Sequence, residues 1–273
     1  MNGEIFGTEV ITSKANSTIV KIGKLSNKKY RNEYKMFVCD GIKLFQEAMD
    51  FGAKIEYIII KNEAIFDEKI VSEIKYSQSL GAKILCVNEG VFDKLTDESA
   101  PQGIITVVSY FTVLHRRLTN VENVNDNEKI IMLESIRDPG NLGTIIRNAV
   151  AFGIDRLILS SDCVDIYSSK VVRAAMGAIF KIKIDIVDDF VASIENTKLN
   201  KTVLGAALGK KSLVLGEKKL TKNDVVIIGN EGHGLSQEVL NSVDDTIFIP
   251  IAQNTESLNA AMASVIFMWE FYK

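Results

Sequence analysis

The chain has 273 residues, 47% of them hydrophobic and 25% charged, with a formal net charge of −3. That composition suits a globular protein of two domains or one large α/β domain, and it excludes a molecule that is polybasic throughout. No apolar run reaches the roughly 18 residues of a membrane span. The opening "MNGEIFGTEVITSK" has no basic stretch followed by an apolar one, so no secretory signal is expected.

Residues 17–35 read as a helix with polar interruptions, in a segment where Lys14, Lys21, Lys24, Lys28, Lys29, Arg31 and Lys35 crowd against Glu4, Glu9 and Glu33. A local patch of this kind can bind phosphates in a slightly acidic protein. On charge alone, a solvated helix face is the simpler reading. "MFVCDG" then reads as a short buried strand and "IKLFQEAMDFGA" as a helix ended by Gly52. "KIEYIIIK", "KILCV" and "PQGIITVVSYF" read as strands, alternating with helices in "EKIVSEIKYSQSLGA" and "NEGVFDKLTD". The alternation predicts a small parallel or mixed α/β sheet over residues 1–115. The polar, Asn-rich stretch that follows predicts a linker at 116–128.

A second α/β series occupies 129–273. Its strands are "KIIMLES", "RLILSS", "KIDIV", "TVLGAAL", "DVVIIG" and "TIFIPI". Its helices are "GNLGTIIRNAVAFG", "SKVVRAAMGAIF", "DDFVASIENTKLN" and "LSQEVLNSV". The last element, "ESLNAAMASVIFMWEFY", is apolar around most of its circumference, as in a helix buried in a core or at a subunit interface. Cys39, Cys86 and Cys163 are scattered, and His115 and His233 are the only histidines. Reduced thiols in a cytoplasmic protein without a metal site are expected.

Three strand-end loops in this half stand out, because ligands of open α/β sheets sit beyond the carboxyl ends of strands. In "ESIRDPGNLGTIIRNA", Asp138-Pro139-Gly140 makes a turn, Asn141 is placed to cap the next helix, and Arg147 lies within it. "IIGNEGHGLS" packs Gly229, Gly232 and Gly234 around Asn230, Glu231 and His233. It has neither the spacing nor the position of a dinucleotide fingerprint. In "IPIAQNTESLNAA", Ser257 and Asn259 open the last helix. Taken singly, each loop is ordinary turn or cap chemistry.

Together the three segments resemble the three motifs of the SpoU-type (TrmH-like) RNA ribose methyltransferases of the SPOUT superfamily. "DPGNLGTIIRNAVAFGID" matches the first with Asn141 and Arg147, "IIGNEGHGLS" the second with Glu231, and "IPIAQNTESLNAAMASVIFMWE" the third with Ser257 and Asn259. "ITSKANSTIVKIGKLSNKKYR", "FVCDGIKL" and "TDESAPQGIITVV" resemble the family's L30e-like substrate-binding domain. Two departures are visible: Gln253 stands where many relatives have Gly, and Asp40 where many have Glu.

The resemblance implies an N-terminal L30e-like α/β domain. It also implies a C-terminal α/β-knot domain, a parallel sheet whose last segment threads a trefoil knot. The implied reaction moves a methyl group from S-adenosylmethionine to a ribose 2′-hydroxyl of RNA. Asn141, Arg147, Glu231, Ser257 and Asn259 form the implied catalytic set, with Arg147 acting either as a base or as a stabiliser of developing alkoxide charge. Gly205, Ala206, Gly229, Asn230, Ile249, Ile251 and Leu258 would hold the cofactor. Lys14, Asn16, Lys21, Lys28, Lys29, Arg31 and Arg173 would face RNA, with a surface ion pair an equal reading for Arg173. A homodimer through the C-terminal domain is implied. Ribosomal RNA of the 23S type is the first substrate expectation and transfer RNA the second. A non-catalytic RNA-binding protein with this fold is the reading from another class.

Overall fold

The computed structural model describes residues 1–273 apart from 123, 210, 211 and 253–256; the Gln253 departure therefore lies outside the described residues. The first part of the chain builds α1 (Asn2–Phe6), α2 (Ser17–Gly23), α3 (Lys28–Tyr34), β1 (Met36–Asp40), α4 (Ile42–Asp50), β2 (Ile55–Lys61), α5 (Glu68–Ser79), β3 (Lys83–Val87), α6 (Glu89–Phe92) and β4 (Ile104–Ser109). It continues through β5 (His115–Leu118), β6 (Ile130–Leu133), α7 (Pro139–Ala151), β7 (Arg156–Ser160), α8 (Ser169–Ala175) and β8 (Lys183–Val187). It closes with α9 (Phe190–Lys198), β9 (Thr202–Ala206), β10 (Leu213–Val214), β11 (Asp224–Ile228), α10 (Gln237–Ser242), β12 (Asp245–Phe248) and α11 (Ala260–Tyr272). Contacts divide these into a unit of Met1–Phe111 with Tyr167–Phe180 and a unit of Thr112–Ile166 with Lys181–Lys273.

In the first unit the sheet order is β1-β4-β2-β3. β4 pairs antiparallel with both β1 and β2, while β2 and β3 are parallel. The period of two along β2 sends Ile58 and Ile60 to a core with Phe45 and Ile74, and Ile59 to another with Ile19 and Phe92. The single helix expected over 17–35 is two short helices joined by a 3-10 turn at Lys24–Ser26. Asn16 and Asn27 each cap the helix that follows, which sets the break.

Arg31 closes that break from inside. It is 4% exposed, and its Nη1 donates to the Leu25 carbonyl at 2.7 Å and the Ser26 carbonyl at 2.8 Å. Its place among the expected RNA-facing residues is therefore corrected: the guanidinium satisfies turn carbonyls in the core.

α8 packs in this unit although its sequence follows β7. Ser169 Oγ donates to Asp97 at 3.0 Å, and Arg173 pairs with Glu98. Tyr167 and Phe180, at the ends of the segment, join Phe37, Tyr110 and Phe111 in an aromatic cluster, with Tyr110 and Tyr167 stacked at 3.9 Å.

The second unit is an eight-stranded sheet of order β10-β12-β9-β11-β6-β7-β8-β5. Every pairing in it is parallel. Parallel strands are covered on both faces and so read as unbroken apolar runs, as β6 and β11 do. α11 packs on α7 and β11, and α9 on β9 and α10.

The stretch expected as a linker belongs here. β5 pairs with β8, Arg116 forks onto buried Asp185 at 2.7 and 2.9 Å, and Arg117 bonds Asp188. Arg156 of β7 reaches the same Asp185. Buried Lys201 donates to the carbonyls of Asp126, Glu128 and Lys222. Arg116 and Arg117 pair with carboxylates there, while Asn125, Asp126 and Asn127 stay exposed.

Candidate active site

At the carboxyl ends of β9, β11 and β12, against the start of α11, lies a cavity of about 560 Å³. Ala206, Gly229, Asn230, Ile249, Ile251 and Leu258 line it, as does Ser257. Ala207, Leu208 and Phe267, which the sequence did not single out, complete the apolar wall. Among the described residues of the wall, Glu231 is the one charged side chain. Gly205 lies behind the wall, where a Cβ would meet Leu235 Cδ1 at 2.9 Å. Gly229 permits the closest approach. The loop folds back through Asn230 N to Gly234 O and Gly234 N to Asn230 O, at 3.0 and 2.9 Å. A Cβ on Gly229 would lie 2.4 Å from the Gly234 carbonyl.

A chain of side-chain hydrogen bonds ties the three loops together at the rim. Asn259 Nδ2 donates to Asn141 Oδ1 at 2.9 Å, and Asn141 Nδ2 donates to Glu231 Oε1 at 3.0 Å. The backbone N–H groups of Arg137 and Asp138 also point to Glu231, each at 3.4 Å. Burial, the largest single influence, pushes the Glu231 carboxyl upward. The Asn141 amide and the backbone N–H groups together outweigh it and hold the group below its usual range.

The helix caps explain how these side chains are free to meet. Asp138, not Asn141, caps α7, accepting from Asn141 N at 2.7 Å with Pro139 at the first helical position. Asn141 is released to bridge. Asn259 caps α11 with its Oδ1, leaving its amide for Asn141. Arg147 is exposed on α7, and its guanidinium has no hydrogen-bond or ion-pair partner among the described residues. Glu231 therefore binds the opening turn of α7 and Asn141 here, not Arg147.

The residues expected to face RNA lie in the other unit. Lys14, Lys28 and Lys29 are exposed, Lys21 sits over the Tyr34 ring at 5.0 Å, and Asn16 is committed to its cap. Arg173 is in the ion pair with Glu98. Among the described residues, no group of three or more His, Cys, Asp or Glu side chains is arranged to hold a metal ion.

Comparison with known proteins gives these features a relationship. The profile of the SpoU rRNA Methylase family matches residues 128–269, and that of the MRM3-like substrate binding domain matches residues 16–106. The chain is 28% identical over 265 residues to the 23S rRNA (guanosine(2553)-2'-O)-methyltransferase RlmP of Bacillus subtilis, covering 95% of this chain and 97% of that one. It is 25% identical over 207 residues to the 23S rRNA (guanosine-2'-O-)-methyltransferase RlmB of Acinetobacter baylyi, covering 75% and 84%. The crystal structure of an AdoMet-bound rRNA methyltransferase from Sinorhizobium meliloti superposes with a TM-score of 0.81 at 29% identity, over 96% of each chain. With its profile matched over more than half of the sequence, the chain belongs to the SpoU rRNA Methylase family.

Proposed function

We propose that the protein is an S-adenosylmethionine-dependent RNA 2′-O-methyltransferase whose substrate is 23S ribosomal RNA. The observation that carries this reading is the hydrogen-bonded chain Asn259–Asn141–Glu231, which joins three separated loops at the mouth of an apolar cavity. The cavity fits the cofactor chemically. Its volume lies in the range of small-molecule sites. Ala206, Gly229, Ile249, Ile251 and Leu258 offer close backbone and apolar contact suited to an adenosine without phosphates. When bound, S-adenosylmethionine supplies an electrophilic methyl group.

The chain's own residues supply placement and charge. Glu231, ionised and held by the start of α7, is set to orient polar groups of the RNA at the cavity mouth. Arg147, uncommitted among the described residues, is free to bind a phosphate and to stabilise the alkoxide character that develops on the 2′-oxygen. A guanidinium offers five N–H donors and no acceptor, which suits it to that role rather than to proton abstraction. Ser257 is on the wall, and Asn259 caps α11 while its amide reaches Asn141, which holds the start of that helix at the rim. Lys14, Lys21, Lys28 and Lys29 of the first unit form the basic surface for the rest of the RNA.

Two further properties belong to this reading. Trp269 and Tyr272 of α11 are 46% and 58% exposed and cluster with Phe152, an aromatic face suited to a second copy of the chain in a homodimer. The return of α11 onto α7 and β11, after β12, is consistent with the trefoil path the family implies. A cytoplasmic location completes this reading.

The test is methyl transfer from labelled S-adenosylmethionine to unmodified 23S and transfer RNA. Alkali-resistant linkages in 23S RNA are the expected result. Label on a base would overturn the reaction type, and label in transfer RNA alone would overturn the substrate.

A further inference from the structure

Ser135 follows β6 with φ +55°, in the left-handed region that residues with side chains enter at a cost. Lys35 and Met176 share that conformation, but each ends a helix, where it is ordinary. Ser135 ends a strand beside the cavity loops. Such a conformation persists only where neighbours over-determine it, and it clusters at functional sites.

The neighbours are specific. Ser135 N donates to Ser160 Oγ at 2.8 Å, and Ser135 Oγ donates to Asp162 Oδ2 at 2.5 Å. Asp162 accepts two more bonds: from Ser160 Oγ at 2.6 Å and from Arg137 Nη2 at 2.7 Å. Burial pushes this carboxyl upward most strongly, yet the two hydroxyls and the Arg137 charge hold it below its usual range. It is thus an anion in the folded protein. The Ser135 carbonyl in turn accepts from Asn230 Nδ2 at 2.8 Å. Arg137 carries one of the backbone N–H groups aimed at Glu231. Asp162 itself is outside the cavity wall.

We propose that Asp162 is a positioning residue for the cavity. Through Ser135 it sets Asn230 and the glycine loop, and through Arg137 it steadies the peptide that grips Glu231. The inference rests on the proposed function in taking the cavity as the S-adenosylmethionine site.

The experiment measures S-adenosylmethionine affinity by calorimetry, with thermal stability and the kcat and KM of methyl transfer alongside. Asp162→Ala is expected to weaken affinity about tenfold, the scale of losing one such conformational restraint. KM for S-adenosylmethionine rises with it, more than kcat falls. Adding Ser135→Gly, which frees the left-handed conformation from its cost, is expected to return affinity to within about threefold of wild type. Asp162→Asn, which keeps the shape and removes the charge, carries the same pair of measurements if the alanine variant does not fold. Unchanged affinity in the single variants overturns the proposal. So does a loss that tracks thermal stability and is not relieved by glycine. Absence of binding by the wild-type protein would sink the cofactor reading itself, whereas wild-type binding with an indifferent Asp162 variant sinks only this inference.

Discussion

The two units use the same materials to different ends. Both alternate strands and helices, and both bury aliphatic runs on two faces of a sheet. The first unit's sheet is mixed, so its strand ends, and the loops they carry, are shared between opposite edges. The hollow beside Asp40 there has about 20 Å³, room for a water. The second unit's sheet is wholly parallel, so the loops after β9, β11 and β12 leave from one edge and converge on a cavity of about 560 Å³, with the loop after β6 bonded to Glu231 of its wall. Parallel pairing gathers loops at one edge, where mixed pairing divides them between two. Under the proposed function, the second unit carries the chemistry and the first contributes exposed lysines to RNA binding.

Substitutions in each unit test that division. The largest effect is expected from Arg147→Ala, which should lower methyl transfer by about 10²–10³-fold or more. S-adenosylmethionine binding, read by calorimetry, should stay within about twofold of wild type by the usual size of an exposed-surface change. Near-normal turnover would remove Arg147 from the site. Next comes Gly229→Ala. Its Cβ would meet backbone, which cannot swing aside, so a stability loss of about 1–3 kcal/mol is expected in denaturant unfolding, with cofactor binding lost in parallel.

Smaller and of another kind is the effect of Lys28→Ala with Lys29→Ala in the first unit. RNA affinity should fall at low salt and the slope of log affinity against log salt should flatten by roughly 0.7 per lost phosphate contact, with cofactor affinity unchanged. An unchanged slope would return these lysines to a merely solvated face. Least in size is the acid response of Glu231. Its carboxyl is depressed in the folded state, so its stabilising contribution is complete above the ordinary value of 4.5 and is lost as pH falls through the lower folded value. Glu231→Gln should flatten the acid limb of thermal stability below that pH, and an identical limb in both proteins would contradict the assignment.

What the sequence revealed follows the same division. The parallel strands are legible because burial on both faces leaves uninterrupted runs such as "IIML" and "DVVII", and the three loops stand out at strand ends but read as one site only through their joint resemblance to the three SpoU motifs. What depends on long-range partners is not legible. Arg31 reads as one more cation until the carbonyls of Leu25 and Ser26 are in place around it. "HRRL" reads as the start of a linker until Asp185 and Asp188 arrive from the neighbouring strand and turn. Asn141 looks like a helix cap, and only the bond from its backbone to Asp138 shows that its side chain is free for Glu231. Ser135 and Asp162 carry no local signature, because a left-handed φ in a serine is imposed by neighbours.

The placement of α8 bears on how such enzymes diversify. The chain passes between the units at 111/112, 166/167 and 180/181, so no single crossover in the coding sequence exchanges the first unit whole. A recombinant that acquired a new segment 1–111 would keep the old α8, with Arg173 and Ser169 facing strangers in place of Glu98 and Asp97. Residues 97–98 and 169–173 lose both contacts when they are exchanged apart. A foreign substrate-binding unit grafted onto this scaffold keeps its own equivalents of them only if residues 167–180 travel with it.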